Sequence, residues 1–234
     1  MKYIYRIRSF IRALEYRLLP SCCLICAAAG TSQSDLCTDC RSALPWNDRA
    51  CRQCGMPMLA SVLACGDCLR RQPPVCETHA VFVYGFPVER LLLRFKFHQD
   101  LAAGRLLSEL LIERVQALPY PQAIVPVPLH RQRLRKRGYD QALELAKRVA
   151  CATEVPLHAG ALCRIRDTAP QSELGAKARY RNLRNAFTVK GQLPAHVALL
   201  DDVMTTGATL YAAAAALRRA GVQRVDAWVC ARAT

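Results

Sequence analysis

No window of this 234-residue chain holds the roughly 18 uninterrupted apolar residues that a membrane-crossing helix needs. The amino-terminal stretch also lacks the apolar core of a signal peptide, because Arg6, Arg8, Arg12 and Arg17 interrupt it. Stable membrane insertion and export are therefore not expected, and the chain reads as cytoplasmic. Residues 1–19 read instead as a basic amphipathic helix with Ile4, Ile7, Ile11, Leu14 and Leu18 along one face. Packing on the chain's own domain suits that face better than a membrane surface. Acidic residues are scarce: 18 Asp and Glu stand against 33 Lys and Arg, a formal charge of +15. Such a balance favours a polyanionic partner, nucleic acid first.

Cysteine is abundant, at thirteen residues. Without an export signal, that number argues for reduced thiols or metal ligation rather than a disulfide framework. Eight of them form a repeat: Cys23, Cys26, Cys37 and Cys40 recur as Cys51, Cys54, Cys65 and Cys68, each displaced by 28 residues. Asp39 and Pro45 recur at the same offset as Asp67 and Pro73. Two Cys-x-x-Cys knuckles can close a tetrahedral thiolate shell around one zinc ion. No His or carboxylate replaces any of the eight sulfurs, so a full shell leaves no open position for water and the two zinc sites are structural. An iron–sulfur cluster or free thiols are the competing readings. The ten-residue gap between knuckles leaves sequential and interleaved pairing both open, and Cys22 could replace Cys23. Two zinc ions on eight thiolates would lower the charge to roughly +11, still strongly basic. Cys151, Cys163 and Cys230 sit in apolar surroundings, where buried structural thiols are expected.

The stretch that organises the rest is Val197 to Thr209, VALLDDVMTTGAT. Val197 to Leu200 read as a strand buried on both faces, ended by Asp201 and Asp202. Thr205, Thr206, Gly207, Ala208 and Thr209 then offer backbone N–H groups with little side-chain bulk, and Gly207 permits the positive φ that wrapping an anion requires. A helix is expected from Leu210 to Ala220, with Gly221 just past its end. Its amino terminus would face the same anion. Two acids beside an anion loop suit a sugar phosphate, since carboxylates accept hydrogen bonds from vicinal ribose hydroxyls. The thirteen residues resemble the PRPP motif of the type I phosphoribosyltransferases at every position.

Elsewhere the patterning predicts a strand at His79 to Phe86, a helix at Val88 to Phe97 with Leu91, Leu92 and Phe95 inward, and a helix from Leu101 to about Ala117. A short central strand at Ala123 to Val125 follows, with Pro126 and Pro128 at its exit. In the resembled transferase fold the loop after this strand binds pyrophosphate, and Arg131, Arg133, Arg135, Lys136 and Arg137 would supply its cations; a solvated basic turn is the competing reading. A helix from about Tyr139 to Cys151 and a strand near Leu162 to Arg164 come next. The polar, basic run from Arg166 to Phe187 reads as a lid supplying cations or as a surface excursion. Arg224 to Arg232 is expected to close the sheet as a strand.

The paired knuckles, Lys96 and Phe97, the PVPLH run, Arg137 to Gln141, the spaced Thr168, Gln171, Leu174, Arg179, Asn182 and Phe187, and DDVMTTGATL together resemble the ComF family in its double-zinc-ribbon, ComFC-like form. The resemblance covers nearly the whole chain. One position departs from it: Asp140 stands where that family usually has Asn, which exchanges amide donors for charge. The resemblance implies an α/β fold, a type I phosphoribosyltransferase-like parallel sheet flanked by helices, over residues 77–234, with a double zinc ribbon over residues 20–76. It implies PRPP with Mg2+ as the ligand, a role in competence and DNA uptake, and single-stranded DNA and a competence helicase-type protein as partners.

In the implied site Asp201 and Asp202 orient the ribose, and Thr205 to Thr209 hold the 5′-phosphate. Arg137, Lys96 and Arg179 stabilise the leaving pyrophosphate. Some purine transferases carry an acid where this chain has Thr205, so a purine acceptor handled by such an acid is disfavoured. Two expectations remain: a transferase with an unassigned acceptor, and a non-enzymatic module that senses PRPP and binds single-stranded DNA.

Overall fold

A computed structural model describes residues 21–31, 34–165 and 186–234. Its centre is a four-stranded parallel sheet built from β1 (Thr78–Val83), β2 (Ala123–Pro126), β5 (His196–Met204) and β6 (Arg224–Arg232). The strands lie in the order β1-β6-β5-β2. Each neighbouring pair runs parallel. A parallel sheet must be covered on both faces, and the strands alternate accordingly. Ala198 and Leu200 of β5 and Trp228 and Cys230 of β6 join the core on one face. Val197 and Leu199, with Val225, Ala227 and Val229, join the core on the other.

The first face is covered by α3 (Val88–Phe97), α4 (Leu101–Val115) and α6 (Gln141–Thr153). Leu91, Leu92 and Phe95 point inward, as their spacing predicts. Gly104 lets α4 approach α3: a Cβ there would sit 2.4 Å from the Phe95 ring. The second face is covered by α7 (Ala208–Arg219). A separate antiparallel pair, β3 (Leu162–Arg164) with β4 (Phe187–Val189), packs Leu162 and Phe187 into the same core.

Several boundaries differ from expectation. The β5 strand does not end at the acids but runs through Asp201 and Asp202 to Met204, because β6 continues beside it to Arg232. β6 lies inside the sheet rather than closing it, and β2, expected to be central, is one of the two edge strands, with β1 the other. The basic segment Arg131–Arg137 is a short helix, α5, not a loop. Arg, Gln, Leu and Lys favour helix, His130 caps the start, and Gly138 at φ 81° ends it. Cys230 is buried as expected, whereas Cys151 is exposed on α6. Residues 1–19 and the lid segment with Arg179 lie outside the described residues.

The cysteine-rich segment carries two short helices at equivalent places of the repeat, α1 (Thr38–Ser42) and α2 (Gly66–Arg71). Cys23, Leu36 and Leu44 of the first unit merge into the main core. Arg94 donates to the Leu24 carbonyl at 2.8 Å, and Arg41 to Glu113 at 2.7 Å. The second unit keeps its own small core of Cys51, Cys54 and Cys68. Between the units, Trp46 bridges antiparallel to Phe82 of β1 and packs on its ring, centroids 4.9 Å apart.

Candidate functional site

The eight cysteines of the repeat form two groups, Cys23, Cys26, Cys37, Cys40 and Cys51, Cys54, Cys65, Cys68. Within each, the sulfurs lie within 4.8 Å of one another. The knuckles therefore pair sequentially, and Cys23, not the exposed Cys22, belongs to the first site. Four thiolates about 2.3 Å from a tetrahedral ion must sit about 3.8 Å apart. Cys26 and Cys37 are 3.7 Å apart, Cys51 and Cys68 are 3.8 Å apart, and Cys54 and Cys65 are 3.8 Å apart. The donor set fits zinc. Backbone N–H groups of Cys40 and Cys65 donate to the Cys37 and Cys51 sulfurs, which orients those ligands and stabilises their thiolate form.

The second centre lies at the carboxyl ends of the strands, where open parallel sheets bind ligands. Strand alternation sends the side chains of Asp201 and Asp202 in different directions. Asp202 is buried, and its Oδ2 meets Lys96 Nζ at 2.8 Å. Lys96 is in the last turn of α3. The Asp202 N–H donates to Asp201 Oδ1, and the Val203 N–H to Asp202 Oδ1. Burial first, and the Asp202 charge next, push the Asp201 carboxyl well above its ordinary 3.8. A carboxyl with a raised folded pKa contributes stability that is full below the unfolded value and is lost as pH rises through the folded one. Asp201→Asn is therefore expected to be more stable than the parent at pH 8, with the difference closing towards pH 4. Each 1 kcal/mol so gained raises the thermal midpoint by about 2–4 °C in a chain of this size. Equal midpoints at pH 8 would contradict this.

After Met204 the chain turns through Thr205 and Thr206, both exposed, into Gly207 at φ 77°, the residue preceding α7. A Cβ on Gly207 would meet Met204 Cε at 2.6 Å and the Tyr211 ring at 2.7 Å. The dihedral strains any other residue there, and the Met204 and Tyr211 side chains would have to move to admit one. Thr206 Oγ1 accepts from the Ala208 N–H at 3.4 Å. The first-turn amides of α7, which begins two residues earlier than expected, have no intrahelical acceptors and add the positive end of the helix dipole.

Arg137 closes α5, donates to Gln141 at 2.9 Å and lies 5.2 Å over the Phe97 ring, next to Lys96 in sequence. Asp140, the position that departs from the resembled pattern, uses only acceptor capacity: Oδ2 takes the Leu129 N–H and Oδ1 the Leu143 N–H, capping α6. Charge in place of an amide costs nothing in those two bonds. Burial raises its pKa. Thus Lys96 is brought to the two acids, Thr205 to Thr209 follow them, and Arg137 stands beside Phe97. Arg232, buried at the end of β6, was not legible as part of this end of the sheet.

A cavity of about 340 Å³ lies elsewhere, near the amino ends of β1 and β6, lined in part by Arg52, Glu77, His79, Arg114, Arg224 and Asp226. Its charges are already paired, Arg52 with Glu77 at 2.9 Å and Arg224 with Asp226 at 3.0 Å. No helix among the described residues is long and apolar enough to cross a membrane.

The class is therefore an α/β protein with a parallel four-stranded sheet and two amino-terminal four-cysteine sites. Residues 15–69 match the family model of the double zinc ribbon domain. Competence protein F of Haemophilus influenzae is 34% identical over 212 residues, 86% of this chain and 92% of the relative. The DNA utilization protein YhgH of Escherichia coli K12 is 33% identical over 224 residues, 92% of this chain and 98% of the relative. Competence protein ComFC of Bacillus subtilis is 27% identical over 198 residues, 80% and 79% of the two chains. The chain belongs to the ComF family.

Proposed function

We propose that this chain binds PRPP with Mg2+ at Asp201, Asp202 and Thr205 to Thr209 and acts as a phosphoribosyltransferase-like protein in DNA uptake. The observation that carries the reading is the passage of buried strand β5 through two acids into a Gly207 turn that opens helix α7. Relatives named for competence and DNA utilization support the biological half. We also propose the division into residues 1–19, a double zinc ribbon over 20–76 and a transferase-like domain over 77–234, with the zinc sites structural.

In this reading Thr205 to Thr209 hold the 5′-phosphate through their amides and hydroxyls, and Asp201 and Asp202 accept from the ribose hydroxyls. Lys96, already 2.8 Å from Asp202, and Arg137 face the pyrophosphate, and Arg179 joins them as a third cation. Magnesium, arriving with PRPP, would neutralise part of the pyrophosphate charge. The chain's cations then stabilise the charge that grows on the leaving group as the bond to C1′ breaks. The acceptor is unassigned, and Thr205 supplies no acid to shuttle a purine proton.

A second reading, a PRPP-sensing module that holds single-stranded DNA with a helicase-type partner, has its own observation. Phe97 is 60% exposed beneath the Arg137 guanidinium, and Arg131 and Arg135 are exposed on adjoining α5. Bases stack on exposed rings while cations follow phosphates. Affinity for oligothymidylate should fall steeply with salt, by about 0.7 in logarithmic slope for each phosphate neutralised. Neutralising Arg131, Arg133, Arg135 and Arg137 together should flatten that slope, measured by fluorescence anisotropy. Full affinity in that variant would remove this surface from the account.

A further inference from the structure

We propose that Arg232 is a positioning residue that fastens the phosphate loop to the second zinc site, so that zinc there and an anion in the loop stabilise each other. The inference rests on the reading of Thr205 to Thr209 as a PRPP site. Arg232 ends β6 and is 4% exposed, a depth at which a guanidinium requires partners. Its partners are main-chain carbonyls on both sides. Nε donates to the carbonyl of Cys54, a ligand of the second site, at 2.9 Å. Nη1 donates to Met204 at 3.2 Å, and also to the carbonyls of Thr205 and Ala233. Met204 is its register partner across the sheet.

The consequence follows from peptide geometry. In a trans peptide the N–H points opposite the carbonyl. Holding the Met204 and Thr205 carbonyls on Arg232 therefore turns the Thr205 and Thr206 N–H groups away from it, and these are the first amides of the anion loop. The same cation places positive charge behind the loop. Cys54 is fixed in turn by the knuckle, where the Gly55 N–H donates to the Cys51 carbonyl and Asn47 Nδ2 to the Gly55 carbonyl, each at 2.8 Å. One buried side chain thus joins a metal ligand's peptide to the peptides that present the loop. Arginine suits the task because its planar fork spreads donors over separate nitrogens, so that Nε and Nη1 reach acceptors on opposite sides, whereas lysine's donors share one atom. Among the described residues the first zinc site has no such link to the loop: its polar contacts to the main fold include Arg94 of α3 on the Leu24 carbonyl and Arg41 on Glu113 of α4.

Coupling between two sites must be reciprocal. Saturating PRPP with Mg2+ should slow zinc release from the second site to a chromogenic chelator several-fold and leave the first site unchanged. The phases are assigned with Cys26→Ser, which lacks the first site. In Arg232→Met the protection should vanish, and hydrogen exchange at the Tyr211 and Ala233 amides of the zinc-loaded protein, which donate to the Gly207 and Met204 carbonyls of the loop, should accelerate about 10-fold, the loss of a charged hydrogen bond, with α4 amides unchanged. Arg232→Lys should recover part of both effects. A folded, two-zinc Arg232→Met protein whose Tyr211 and Ala233 amides exchange at the wild-type rate would overturn the inference. So would bound PRPP that protects neither zinc or both equally. If calorimetry finds no PRPP binding, the site reading fails by itself and the exchange comparison alone decides the role of Arg232. If Arg232→Met does not fold, the wild-type release measurement decides it.

Discussion

Replacing Cys51 with serine is expected to lower the zinc content from two ions per chain to one and to unfold the second cysteine unit while the parallel sheet persists. The buried core of that unit consists of Cys51, Cys54 and Cys68, with Met56, Val62, Ala64 and Cys65 against it. So little apolar surface cannot offset the entropy of ordering the loop, and the metal supplies the difference, on the order of 10 kcal/mol for structural zinc. Leu59, Leu63 and Leu69 in this unit are exposed, so they add nothing to its core. The first unit behaves differently, because Cys23, Leu36 and Leu44 share the main core and Arg41 reaches Glu113. Its counterpart Cys26→Ser should lose one zinc yet keep more protection in the surrounding amides. Metal analysis and hydrogen exchange check both variants. Retention of two zinc ions, or unchanged exchange around Cys51, would contradict the assignment.

Lys96→Met is expected to destabilise the fold by about 3 kcal/mol, because it strands a buried carboxylate. The pair is well shielded, with side-chain exposures of 21% for Lys96 and 9% for Asp202, so solvent screening removes little of the effect. Adding Asp202→Asn to Lys96→Met should restore most of the loss, since the isosteric amide no longer carries the unpaired charge. Denaturant unfolding of the two single variants and the double variant closes the cycle. Additive losses would mean that the 2.8 Å contact contributes nothing.

Much of this end of the molecule was legible because it depends on local chemistry. The 28-residue cysteine repeat, the bounds of α3 and β6, and the Gly207 turn follow from spacing and residue type. The paired acids were legible too, but not that β5 runs through them, since only the neighbouring strand β6 continues the ladder past Leu200. Sheet order is likewise non-local: nothing in the sequence of β6 places it between β1 and β5. Three-residue β4 leaves no signature in the sequence, because so short a run has no period and its partner β3 lies more than twenty residues away. Basic α5 looks like a loop or turn in sequence because its dense charge resembles a solvated surface run, although its helix formers and the Gly138 stop favour a helix. Arg232 looked like a charged strand end, and only the fold places it against Cys54, Met204 and Thr205.

The most direct test of the account is calorimetric titration of PRPP, with and without magnesium, into the zinc-loaded protein and into the Asp201→Asn, Asp202→Asn double variant. The account predicts magnesium-dependent binding to the parent and its loss in the double variant, by at least about 100-fold if two charge-assisted contacts are removed. No binding to the parent, or equal binding to both proteins, would contradict the PRPP site.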